Sequence, residues 1–188
     1  MKKFNENQSG RSMIEMLGVL AIVGVLSVAG IAGYSKAMAK YKINKVMDEV
    51  STIAANTKTM FASVGLYADL TDATVGYSLA LFPEEMTKSC TPTNGAISDA
   101  SCIVNGLGGT VALATSDTSG ASFKLTMGGL TRDACVALMT SDWGGASGFK
   151  GVALGSNSVT PATTASGAFD VAATNCAETN NTLVWEFY

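Results

Sequence analysis

Few residues of this chain could do chemistry. Histidine is absent from all 188 positions, which removes histidine acid–base catalysis, histidine-dependent triads and histidine metal ligation. The aspartates from Asp69 to Asp170 are scattered and read as solvated surface rather than as a calcium site. Gly106-Leu107-Gly108-Gly109 is glycine-rich but lacks the lysine of a phosphate loop, so it reads as a turn. What remains is one acid in an unusual place. Glu15 stands at the mouth of an apolar run, and from Met16 to Ser35 there is no charged side chain. At about 1.5 Å per residue, that run spans roughly 30 Å as a helix, the thickness of a bilayer's hydrocarbon core. An ionised carboxylate there costs on the order of 2.5–3.5 kcal/mol, so its position implies a cationic partner.

The other reactive residues are Cys90, Cys102, Cys135 and Cys176, all C-terminal to the apolar run. An even number of cysteines in a Gly-, Ser- and Thr-rich domain behind a membrane segment points to two disulfides in an oxidising compartment. Three connectivities are open. Pairing Cys90 with Cys102 closes a short loop containing Pro92 and Gly95. A zinc site is disfavoured by the lack of both a C-x-x-C pair and histidine, and no other metal or cofactor site is expected. Each closed loop should contribute about 3 kcal/mol. The formal charge is −3 with no basic stripe, so no nucleic-acid-binding site is indicated. Charge bias across the span is uninformative. Lys2, Lys3 and Arg11 precede it, and Lys36, Lys40, Lys42 and Lys45 follow it.

These residues must be positioned by a small set of elements. The helix does not stop at Ser35. Ile43, Val46, Met47, Val50, Ile53, Ala54, Thr57, Met60, Phe61 and Val64 recur at three and four residues, an amphipathic stripe that must be covered. One helix is therefore predicted from about Ser12 to Val64, stopped by Gly65. Gly18, Gly24, Gly30 and Gly33 weaken its apolar half by about 1 kcal/mol each relative to alanine. They allow close helix approach or local unwinding, and any melted segment in an assembled state is expected over Gly24–Gly33. A short helix is predicted near Thr71–Leu81, ended by Pro83, followed by a cysteine-closed loop over 90–109. Thr110–Thr115 and Ser122–Met127 alternate apolar and polar around the turn Asp117–Gly120, which predicts a hairpin. Thr131 is placed to cap a helix running to Thr140. Strands are predicted at Phe149–Leu154, Ala168–Ala173 and Thr182–Tyr188, the last with Leu183, Trp185 and Phe187 on one face. The stretch 155–167 reads as an exposed loop.

The N-terminal residues resemble a known signal. A short basic leader ends in Gly10, Glu15 is the fifth residue after it, and a long apolar helix follows. This is similar to the class III signal of type IV prepilins. Gly129–Leu138 followed by Asp142-Trp143-Gly144 resembles major subunits of the thin pili of conjugative plasmids, a type IVb-like group. The resemblance implies cleavage by a prepilin peptidase between Gly10 and Arg11, N-methylation of Arg11, and pairing of Glu15 with the amino terminus of Arg11 in a neighbouring copy. It also implies the pairing Cys135–Cys176, by analogy with the C-terminal disulfide loop of these proteins. The leader carries Lys2, Lys3 and Glu6, net +1, so the remainder would be one unit more negative. Ordinary secretory signals are cut after their apolar stretch; here the cut would keep it on the mature chain.

The implied fold class is α+β. A long N-terminal helical spine packs against an antiparallel sheet head held by disulfides. The expected division is a leader over 1–10, a transmembrane and fibre-core half-helix over 11–35, an amphipathic half-helix over 36–65, and a globular head over 66–188. The implied function is that of a non-enzymatic pilus subunit. It would be held in the inner membrane with its head in the periplasm, then polymerised into an extracellular filament by an assembly platform and ATPase. Such filaments serve attachment, conjugation, DNA uptake or motility. Two other readings use the same features. One is a minor pilin or a type II secretion pseudopilin. The other is an uncut membrane anchor carrying an enzyme or binding domain, with Glu15 and Arg11 at the headgroup level.

Overall fold

The computed structural model describes residues 9–144, 148–160, 163 and 165–188, the first four by backbone alone. Residues 1–8 of the expected leader over 1–10 and the side chain of Arg11 thus lie outside the described residues. The chain divides into two compact units, with the boundary between Tyr41 and Lys42.

The first unit contains the start of helix α1, which runs from Ser9 to Phe61. It is continuous across Gly18, Gly24, Gly30 and Gly33. Every side chain from Met13 to Ser35 is exposed. The hydroxyls of Ser27 and Ser35 donate back to the carbonyls of Val23 (2.8 Å) and Ile31 (3.0 Å). These two serine hydroxyls therefore satisfy their donors within the helix, as a water-free surrounding demands.

The second unit is an α+β fold with one hydrophobic core. Helix α1 supplies Ile43, Val46, Val50, Ile53, Ala54 and Phe61 to that core, one buried stripe at helical spacing. The helix ends at Phe61, three residues before the predicted Val64. Gly65, at φ +75°, lets the chain turn, and its N–H still donates to the Phe61 carbonyl at 2.8 Å. Helix α2 (Ala73–Ser78) is capped by Asp72, whose carboxylate accepts from the N–H groups of Thr74 (2.7 Å) and Val75 (3.3 Å). A five-stranded antiparallel sheet follows, in spatial order β1-β2-β5-β3-β4. Its strands are β1 (Val111–Thr115), β2 (Phe123–Leu130), β3 (Phe149–Leu154), β4 (Asn157–Val159) and β5 (Asn181–Phe187). Helix α3 (Arg132–Thr140) is capped by Thr131, and helix α4 (Ala165–Asn175) precedes β5. Alternation on β5 buries Leu183, Trp185 and Phe187 on the core face. Cys90 is bonded to Cys102 and Cys135 to Cys176, closing separations of 12 and 41 residues. Such loops stabilise by about 3 and 4 kcal/mol in the chain-entropy account.

Three predictions need correction. Met60 and Val64, counted in the covered stripe of α1, are exposed, because the stripe's last core residue is Phe61, where the helix ends. Ala168–Ala173 is helix, not strand. Ala168 and Ala172 are both buried, four residues apart, and the alanines favour helix wherever one face alone is covered. The stretch 155–167 is not simply a loop, although Pro161, Ala162 and Thr164 within it lie outside the described residues. Gly155, at φ +61°, begins a two-residue turn that folds β4 back on β3, with Leu154 opposite Asn157, and α4 begins at Ala165.

Candidate assembly site

Glu15 lies in the first unit, exposed, at the N-terminal edge of the charge-free stretch. The described ion pairs join Lys45 to Glu49 and Glu85, Arg132 to Glu178, and Lys150 to Glu186; none involves Glu15. Around it Met13, Ile14, Met16, Leu17, Val19 and Leu20 are each more than half exposed. A stretch this apolar, with a mean hydropathy of 2.3 over its best 18-residue window, is long enough to cross a membrane. Its exposure on all sides means that lipid or other helices, not this chain's own core, must cover it.

Within the second unit, a different acid of α1 is fully enclosed. Glu49 is only 2% exposed. Its carboxylate accepts from the Gly106 N–H at 2.9 Å, and Lys45 lies at 4.0 Å. Burial pushes its pKa up, and the Gly106 bond and the Lys45 charge pull it back in part. Asn105 completes this clasp. Its side-chain carbonyl accepts from the N–H groups of Leu107 and Gly109, and its amide donates to the Gly128 carbonyl at 2.9 Å. The glycines are required by close approach, since a Cβ on Gly109 would lie 1.9 Å from the Gly128 oxygen. The Gly106–Gly109 segment is thus a turn clamped between α1 and β2.

On the sheet, Glu186 accepts from Lys150 Nζ (2.7 Å), Ser116 Oγ (2.5 Å) and Ser122 Oγ (3.0 Å). Burial alone would raise its pKa, but these donors prevail and hold it below the usual value; the same pairing raises Lys150. This is a structural network bracing β2, β3 and β5, with no nucleophile activated by a base. Among the described residues no group of three or more metal-ligating side chains comes together. The four cysteines are all in disulfides.

Sequence reasoning missed two features of this unit. One is the Glu49 clasp, whose only local signal is a charge on the apolar stripe. The other is a groove of about 340 Å³ between α1 and the ends of α3 and β5, lined by Ser51, Ala54, Ala55, Lys58, Trp143 and Phe187. No local pattern brings these distant residues together.

Comparison with known proteins matches this arrangement. The family model described as PilS N terminal matches residues 40–187. Among solved structures, a type IVb pilin from Salmonella typhi is similar at 26% sequence identity and TM-score 0.50, over 76% of this chain and 96% of that one. TcpA, a type IV pilin from Vibrio cholerae El Tor, shares the fold at TM-score 0.51 and 14% identity, over 79% of this chain and 99% of that one. No curated protein sequence matches. With a helix that must be covered from outside, a disulfide-held antiparallel head and a family model spanning most of its length, the chain belongs to the PilS N-terminal family and is a type IVb-like pilin, a structural subunit of a type IV pilus.

Proposed function

We propose that the chain is a precursor cut between Gly10 and Arg11 by a prepilin peptidase and N-methylated on Arg11. Residues 11–35 then hold it in the inner membrane, with the head over 66–188 in the periplasm and residues 36–65 linking the two. An assembly platform and its ATPase move it into an extracellular filament that serves attachment, conjugation and DNA transfer, or motility. The subunit performs no catalysis itself.

The observation that carries this reading is Glu15, a single acid five residues after Gly10, at the edge of an otherwise uncharged helix exposed on all sides. A carboxylate entering a core of packed apolar helices keeps its charge only against a cation. Cleavage after Gly10 would create that cation, the new α-amino group of Arg11, on every subunit. An incoming Glu15 pairs with the amino terminus of the copy already docked, which fixes the axial register of the apolar helices.

Mass spectrometry of the mature chain tests the processing step. The expected terminus is N-methylated Arg11, and a mature chain still beginning at Met1 refutes it. Glu15→Ala tests docking. The variant should be cut normally yet yield fewer fibres by on the order of tenfold or more, as expected for a lost buried ion pair. Fibres at the normal level would remove Glu15 from assembly.

A further inference from the structure

A polymer built from one chain needs a surface that meets a different surface on the next copy. Such a contact propagates into an open fibre when its rotation does not close a ring. The head displays two features that fit this need. Helix α4 turns Ala168 and Ala172 to the core and Phe169 outward. Phe169 is 57% exposed, whereas the other described phenylalanines, Phe61, Phe82, Phe123, Phe149 and Phe187, are all buried. A single exposed apolar side chain is ordinary. It gains meaning from the groove elsewhere on the same unit.

That groove exists because α1 presents short side chains at Ser51, Ala54 and Ala55, while Trp143 and Phe187 stand beside them as walls. Its volume, about 340 Å³, lies at the small end of the range for ligand pockets and can take an aromatic ring. The surroundings suit an aromatic guest. Trp143 packs edge-on to Trp185 at 5.5 Å, so its ring is held in place. The Lys58 ammonium is half-buried and lies 5.1 Å over the Phe187 ring, and burial depresses its pKa. Charge matches as well. Exposed Asp170 follows Phe169 on the knob, and Lys58 lies in the hole.

We infer that in the filament Phe169 of one copy enters the groove formed by Ala54, Ala55, Lys58, Trp143 and Phe187 of another, with Asp170 set against Lys58. The inference rests on the chain being a filament subunit and names a head-to-head contact additional to Glu15. The occupant is a second copy because every subunit of the polymer carries one knob and one hole, so the contact repeats without any other component.

The test uses the full chain in assembling cells. The four native cysteines are all bonded, so introduced thiols are the reactive ones. Sheared fibres of Phe169→Cys/Ala55→Cys are treated with a short bis-maleimide and run denatured. A ladder of dimers, trimers and higher species is expected. Each single substitution should give none, because the one introduced thiol would face a site that carries no second thiol. Fibres of the double variant that form with both thiols accessible yet do not ladder overturn the contact and leave the Glu15 reading untouched. Dimers from Phe169→Cys alone overturn it too, since they require two knobs to meet. Should the double variant fail to assemble, Phe169→Asp decides. It places an acid on an exposed helix position and leaves the head intact. Fibre yield should fall on the order of tenfold with chain level unchanged, and an undiminished yield refutes the contact.

Discussion

From Met13 to Ser35, helix α1 buries no side chain, whereas from Ile43 to Phe61 it contributes a stripe to a finished core. The glycines repeat the contrast. A Cβ on Gly18, Gly24, Gly30 or Gly33 would meet nothing within 4 Å, but one on Gly120 or Gly128 would lie 2.8 Å from another residue's atoms. The two acids do so as well: Glu49 has its hydrogen bond from Gly106 within the chain, and Glu15 sits where the partner must come from outside. A residue of the head is explained by contacts this polypeptide already makes. A residue of the apolar half-helix is explained by contacts that only assembly or a membrane can supply.

The largest expected effect tests this division directly. Trp185 is fully buried in the core and packs edge-on against Trp143. Trp185→Ala should destabilise the head by about 3–5 kcal/mol through lost contacts and the cavity left behind. Leu20→Ala, in the exposed half, should leave head stability within about 0.5 kcal/mol. Near-ultraviolet circular dichroism on heating the full chain in detergent measures both. Comparable losses from the two variants would mean that the units are not independent.

A smaller effect separates two carboxylates inside the head. The carboxyl of Glu49 titrates above its ordinary value of 4.5 because burial opposes its charge. The folded chain therefore keeps this proton to higher pH than the unfolded chain does. The Glu49 contribution worsens as pH climbs from about 4.5 through the folded pKa and recovers on acidification. Glu186 runs the other way. Its folded pKa lies below 4.5, so its contribution is present above 4.5 and is lost as pH falls through that lower value. The Glu49→Gln side chain keeps an oxygen to accept from Gly106 but carries no charge. Melting temperatures of Glu49→Gln and the parent should therefore diverge as pH rises from about 4.5 to about 8, the variant gaining. The charges acting on Glu49 are those of Lys45, Glu85 and Asp48. A constant difference across that pH range would show that the carboxyl does not titrate there.

The same division explains what is legible in the chain. The stripe of α1, the hairpin of β1 and β2, the cap at Thr131 and strand β5 announce themselves through local period and capping chemistry, and each lies within a few residues of its predicted place. Helix α4 escapes a local reading because Ala168-Phe-Asp-Val-Ala-Ala173 is short enough to suit either period, and its decisive feature, burial of Ala168 with Ala172, is tertiary. Strand β4 has a signal in Gly155-Ser156, a two-residue turn behind the apolar Phe149–Leu154 run. The groove has no local signal, since Ala55, Trp143 and Phe187 meet only in the folded head. Glu15 stands out for the opposite reason: its meaning lies in spacing along the chain and in the lack of other charges nearby.

The smallest effect on the head, and the sharpest on the comparison, comes from the glycines of the exposed half. Alanine at Gly24 and Gly30 meets no neighbouring atom in this chain and should stiffen α1 by about 1 kcal/mol at each site. The head's melting temperature should not change. If those glycines serve close helix packing or local unwinding in the fibre, the double variant should accumulate in the membrane, correctly processed, and give shorter or fewer filaments. An image reconstruction of the parent fibre separates the two causes. Unwound backbone over Gly24–Gly33 means that alanine resists melting, whereas unbroken helix with neighbours touching at Gly24 and Gly30 means that the added methyls hold helices apart. Filaments of normal number and length from the double variant would show that neither role operates, and that the glycines of the apolar half are as unconstrained in the fibre as they are in the single chain.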